Sequence, residues 1–212
     1  MSFFMQIHRD KFQDFHHSPD CQVYGKKVDT KNGREEYLLI APLELVKIKQ
    51  SDNSAIFLPN FKIPQNQVSV LTTGGGNVGV IHKFDWSLIN SNGKPVVYIQ
   101  PHKNFPLHKI SDVTKDQDSQ PNVSVDESVI LEFDGSQIKG TVKTAQPQKQ
   151  AFGDFSSMVE VFQVKFEQNL YTSHHGSRVI ISSSKKSLGM LIATQIQGDG
   201  TSLAYVFPAH LI

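Results

Sequence analysis

Apolar and polar residues alternate along this chain in short runs with a period near two, and no segment sustains the 3.6-residue period of a helix. Val159, Val161 and Gln163 set against Glu160, Phe162 and Val164 are one such run, and Leu45 to Gln50 is another. Gln22–Val28, Glu36–Ile40, Ala55–Leu58, Gln67–Thr72, Gly79–Phe84, Trp86–Ile89 and Pro95–Ile99 read as further strands in the first half. Ser128–Phe133, Ile138–Thr144, Val159–Phe166, Arg178–Ser182, Ser187–Ala193 and Ser202–Phe207 read as strands in the second. Asn32-Gly33, Asn92-Gly93 and Asp134-Gly135 sit between runs, where the positive φ values of a tight hairpin favour such pairs. β-branched residues fill the runs, and many short strands between turn signals predict a sandwich or barrel.

The pattern lapses in two places. Residues 1–20 are rich in Phe, His and Asp without clear periodicity; Phe3, Phe4, Phe12 and Phe15 are expected either on one face of a short helix or in a packing arm. Asn104–Asn122 is polar, carries Pro106 and Pro121, and shows no element, so it is expected to link two halves. The expected organisation is an arm at 1–20, a first β-barrel at 21–103, a linker at 104–122 and a second β-barrel at 123–212. Gln146–Ser156 is expected as a loop, and Ser182-Ser183-Ser184-Lys185-Lys186 as a solvated hairpin tip.

Composition narrows the classes. The 212 residues fit one large all-β domain or two small barrels, with ample length for a buried core. Lys and Arg number 21 against 20 Asp and Glu, which is neither the footprint of a nucleic-acid binder nor a polybasic membrane patch. Cys21 is the single cysteine, so no intrachain disulfide forms, which suggests a reducing compartment. Met1–Met5 is followed at once by Gln6, His8, Arg9 and Asp10, too short a run for a signal peptide, and no run reaches the roughly 18 apolar residues of a membrane span. A soluble, cytoplasmic protein is expected, with no nucleic-acid or membrane partner.

The chemistry gathers at Thr172-Ser173-His174-His175-Gly176-Ser177-Arg178-Val179-Ile180, between two strand runs. Three further landmarks stand in order before it: Tyr37-Leu38-Leu39-Ile40-Ala41-Pro42-Leu43, Phe84-Asp85-Trp86-Ser87-Leu88-Ile89, and a hairpin ending in Gly140-Thr141-Val142. Leu188-Gly189-Met190-Leu191-Ile192-Ala193 and Ala204-Tyr205-Val206-Phe207-Pro208 follow it. Over residues 22–212 this series resembles the trypsin-like (chymotrypsin-fold) serine proteases, whose nucleophile turn reads Gly-Asp-Ser-Gly-Gly/Ser-Pro-Val. Gly176, Ser177 and Val179 match that turn. The resemblance implies an all-β fold of two six-stranded antiparallel Greek-key barrels.

It also implies a degenerate active site. The family needs a hydroxyl that attacks, an imidazole that takes its proton and a carboxylate that orients the imidazole. Leu43 falls at the His position (Glu44 if the alignment shifts by one), Asp85 at the Asp position and His175 at the Ser position. Leu43 moves no proton and His175 has no hydroxyl. Ser173 and Ser177 each lie two residues from the nucleophile position, several ångströms along the chain, where even 1 Å of misplacement costs about a hundredfold. Ser173 also replaces the glycine of the oxyanion hole. Asp85 reads equally well as a buried structural carboxylate.

The leading expectation is therefore a pseudoprotease that binds a peptide or protein partner. Its cleft would lie between the barrels and be lined by Asn169, Ser173, Gly176, Ala193, Thr194 and Gln195, with Asn169 a neutral floor and the Ala193–Ile196 edge able to pair with an extended peptide. The alternative is an active hydrolase with a rearranged triad, drawing on Ser173 or Ser177 with His174, His175 or His82, and Asp85. A third reading is a metal- or nucleotide-binding β protein. Gly74-Gly75-Gly76-Asn77-Val78-Gly79 fits a dinucleotide pattern, but the residues after it read as a strand where a phosphate site needs a helix. The nine histidines include two adjacent pairs, whose rings point to opposite faces of an extended chain, so no ready chelate is visible. No metal and no cofactor is expected. Phe152, Phe155, Phe162 and Phe166 are expected in a core.

Overall fold

The computed structural model describes residues 3–7, 23–29, 32–42, 46–50, 55–56, 69–72, 77–84, 95–106, 108, 110–113, 120–152 and 158–212. Their regular structure is all β apart from short 3-10 turns. They fall into two compact units, Met1–Trp86 with Pro95–Ser111, and Ser87–Lys94 with Asp112–Ile212.

The first unit is built on one sheet. Its strands are β1 (Phe3–Ile7), β2 (Val23–Asp29), β3 (Glu35–Pro42), β4 (Val46–Gln50), β5 (Ala55–Ile56), β6 (Ser69–Thr72), β7 (Asn77–Phe84), β8 (Val96–Pro101) and β9 (Ile110–Asp112). They lie in the order β5-β4-β1-β6-β7-β8-β3-β2-β9. The Asn32-Gly33 turn joins β2 to β3 as its composition requires, with Gly33 at φ 69°. Val23, Leu39, Ile40, Val97 and Ile99 are buried along the central strands.

This unit departs from the sequence reading in three ways. Among the described residues its sheet has nine strands where the resemblance implies a six-stranded barrel, and β1 runs parallel to β6 in an otherwise antiparallel arrangement of described pairs. Phe3–Ile7 is neither a helical face nor an arm: it is a strand inside the sheet, between β4 and β6. A five-residue run with four apolar positions suits a strand and is too short for a stable helix. The expected linker contributes β9, only three residues long, too short to show alternation. The Gly-rich stretch leads directly into β7, so a strand does follow it as expected. The expected strand Trp86–Ile89 and the turn Asn92-Gly93 lie outside the described residues.

The second unit holds a closed barrel. Its strands are β10 (Ser128–Phe133), β11 (Ser136–Val142), β12 (Gln148–Ala151), β13 (Met158–Phe166), β14 (Arg178–Ile181), β15 (Ser187–Ile196) and β16 (Ser202–Pro208). β10, β11 and β13 pair in succession, β14, β15 and β16 pair in succession, and the two groups join through β13–β16 and β10–β14. All six contacts are antiparallel, and the β13-to-β14 connection crosses over, which closes a six-stranded Greek-key barrel. Asp134 and Gly135 both have positive φ, 46° and 78°, and turn β10 into β11. Val129, Leu131, Val142, Phe162, Val164, Phe166, Val179, Ile181, Leu188, Leu191 and Val206 fill the interior. Closure removes the sheet edges that an open six-stranded sheet would expose.

β12 is a correction to the expected 146–156 loop. It continues along β13 from Val161 to Met158, after β11 has ended at Val164. Its residues are polar, so only its partner marks it as a strand. Phe162 and Phe166 lie in the core as expected, and Phe152 is half-buried with its ring edge-on to Tyr205. Phe155 lies outside the described residues.

Candidate functional site

The segment from Leu170 to Ser177 connects β13 to β14 and is fixed at both ends. The Ser202 hydroxyl accepts the Leu170 N–H at 2.8 Å, and the Leu170 carbonyl faces the Thr194 hydroxyl at 3.4 Å. At the other end Gly176 N–H donates to the Leu191 carbonyl at 2.6 Å and Leu191 N–H donates to the Ser177 carbonyl at 2.9 Å. These two bonds prolong the β14–β15 ladder into the segment. Gly176, at φ 81°, turns the chain from the segment into β14, a conformation that strains any residue with a Cβ.

Between these anchors Thr172–His174 form a 3-10 turn. His174 N–H donates to the Tyr171 carbonyl, His175 N–H to the Thr172 carbonyl at 3.0 Å, and Ser177 N–H to the His174 carbonyl. His174 Nδ1 accepts the Tyr171 N–H at 3.0 Å, which puts the proton of the neutral ring on Nε2. Its ring lies over Phe133 of β10, with centroids 4.2 Å apart. His175 leaves the turn in extended geometry, φ −61° and ψ 141°, and its Nε2 meets the Thr194 hydroxyl at 2.9 Å.

Several candidate residues thus meet within the second unit. His175, which the resemblance lays on the nucleophile position, contacts Thr194 of the expected binding edge. His174, His175 and Ser177 are buried, Ser177 completely at 0% exposure, and Ser173 is half-buried. Asn169 is half-buried, and its Oδ1 is buried without a hydrogen-bond partner. β15 pairs with β14 only as far as Met190, whereas its pairing with β16 continues through Ala193, Thr194, Gln195 and Ile196. Gln195 and Ile196 are exposed. Leu43, Glu44 and Asp85 lie outside the described residues; His82 stands in β7 with its side chain outside the description.

The contact between Phe133 and His174 was not foreseen, because nothing in the local pattern ties residues so far apart. The inward bond from His175 N–H to Thr172 was not foreseen either. It occupies the backbone donor that, on the resemblance, would serve an oxyanion. Ser173 in place of glycine was the one available signal for it. No group of three or more His, Cys, Asp or Glu able to hold a metal is found among the described residues. No helix among them is long and apolar enough to cross a membrane.

The barrel's strand order and the placement of this segment on the β13-to-β14 connection define an all-β Greek-key architecture of the kind the trypsin-like resemblance implies. Solved structures to which the chain is similar are proteases. The MamO protease domain from Magnetospirillum magneticum, in its apo form, aligns at 12% identity and TM-score 0.46, over 82% of this chain and 79% of that one. The Rv3671c protease of Mycobacterium tuberculosis, in an inactive form, aligns at 9% identity and TM-score 0.44, over 81% and 78%. The NS6 protease from murine norovirus 1 aligns at 8% identity and TM-score 0.42, over 86% and 89%. No protein-family model matches the chain, and no curated protein matches it.

Proposed function

We infer that this chain is a catalytically inactive trypsin-like protease homologue that binds an extended peptide along β15. The observation that supports it best is the state of His175. At the position of the attacking hydroxyl stands a buried imidazole engaged with Thr194, and its backbone N–H is turned inward to Thr172. An oxyanion hole needs donors aimed at the developing charge; a donor bonded at 3.0 Å to its own turn must first break that bond. Binding does not need this machinery. Beyond Leu191, whose backbone bonds Gly176 and Ser177, β15 has a described strand partner on one side only, and its other flank suits strand addition by a peptide.

Two measurements on the full chain test the two halves separately. Fluorophosphonate labelling with intact-mass readout is expected to give no adduct; an adduct on Ser173, Ser177 or Thr194 restores the active-hydrolase reading. Fluorescence anisotropy against a library of extended peptides is expected to find binders whose affinity drops when alternate backbone nitrogens are methylated. Binding insensitive to backbone methylation, or no binding at all, overturns strand addition.

A further inference from the structure

We propose that Arg178 and Ser187 form an oxyanion-binding site on the outer face of the second unit's barrel, for a carboxylate or a phosphate group. Val179 and Ile181 of β14 point into the barrel core, so Arg178 and Ile180 point outward. Arg178 lies opposite Met190, and Ile180 lies opposite Ser187. The pairing shifts register between Val179 and Ile180, so Ser187 comes opposite Ile180, the next outward position along β14 from Arg178, a gap of about 7 Å along the strand. A guanidinium at the end of three methylenes spans most of that gap.

Outward residues on a small barrel are normally wet. These two are not: Arg178 is 8% exposed and Ser187 0%. Arg178 Nε and Ser187 Oγ are both buried, and neither has a hydrogen-bond partner. Among the described residues no carboxylate forms an ion pair with Arg178. A buried guanidinium Nε–H and a buried hydroxyl with no partner in the chain are two donors left to be satisfied from outside it. A metal ion is repelled by the guanidinium charge. A planar or tetrahedral oxyanion is attracted: two of its oxygens match the guanidinium fork, and the Ser187 hydroxyl supplies a further donor. The site owes nothing to the peptide-binding reading, since it uses the opposite end of β15 from the Ala193–Ile196 edge.

The test is thermal unfolding of the full chain in separate titrations of sodium phosphate, sodium acetate and sodium chloride at matched ionic strength. Phosphate or acetate is expected to raise Tm saturably above the chloride control. A response to acetate points to a carboxylate source and a response to phosphate alone to a phosphoryl source. Arg178→Met keeps the stem and removes the charge, and is expected to abolish the saturable rise. Ser187→Ala keeps the charge and is expected to shift the midpoint about tenfold to higher anion concentration. Wild-type curves in phosphate and acetate that both follow chloride overturn the site and leave Arg178 solvated by water. A saturable rise that persists in both variants overturns it too, because the anion then binds elsewhere.

Discussion

The imidazole Nε2 of His175 and the hydroxyl of Thr194 are 2.9 Å apart, a bond that ties the β13–β14 connection to β15. The same hydroxyl faces the Leu170 carbonyl, so one side chain holds the segment at two points. Thr194→Val keeps the shape and removes both. It leaves a mostly buried imidazole nitrogen unsatisfied, and a loss of about 1–3 kcal/mol is expected in urea unfolding. Thr194→Ser keeps the hydroxyl and is expected to recover most of that loss.

Restoring the family's nucleophile is expected to fail. His175→Ser places a hydroxyl where the resemblance expects one, yet the residue's N–H is bonded to Thr172, and on the same resemblance Leu43 falls where the base is needed. Fluorophosphonate labelling of His175→Ser is expected to give no adduct. A stoichiometric adduct on the new serine shows that the turn opens readily and that the hole is formed on demand.

Gly189 marks the tightest approach in the second barrel. It has φ 154°, and a Cβ there would run into the backbone carbonyl of Phe207 on β16. Gly189→Ala is expected to lose about 2–5 kcal/mol through overpacking and backbone strain together. Gly198, in the hairpin tip, would place its Cβ in open space. Gly198→Ala is expected to leave the denaturation midpoint almost unmoved.

That hairpin tip also carries a pH signature. The Thr201 hydroxyl and backbone N–H, helped by the Lys165 ammonium, hold the Asp199 carboxyl down at about 2, against an ordinary value of 3.8. A depressed carboxylate contributes stability that is present above the unfolded value and disappears as pH falls through the folded one. The side chain is exposed, so the effect is modest. NMR titration of Asp199 is expected to show a midpoint near 2, moving up in Thr201→Ala. Asp199→Asn is expected to show a flatter dependence of Tm on pH between 4 and 2 than wild type.

What the sequence made legible was whatever local chemistry decides. The Asp134-Gly135 turn, the alternation of Val159–Phe166 and the glycine at position 176 each state their geometry within a few residues. The six barrel strands of the second unit could be read for that reason. β12 could not, since Gln148–Ala151 is polar and becomes a strand only because β13 extends beyond β11 to meet it. β1 was missed on length: five residues, four of them apolar, carry too little periodicity to tell strand from helix. Within the candidate site, Gly176 was legible as a turn residue. The His175–Thr194 bond was not, because it depends on how far β15 runs past its pairing with β14.

The position of β1 bears on the continuity of the first unit's sheet. Phe3–Ile7 bridges β4 and β6, two strands drawn from well downstream, so its hydrogen bonds close large loops, whose entropy cost the finished sheet must offset. Until it docks, the facing sides of β4 and β6 are bare edges, each a template for a neighbouring chain. The same five residues act as a keystone that joins β4 and β6 into one continuous sheet.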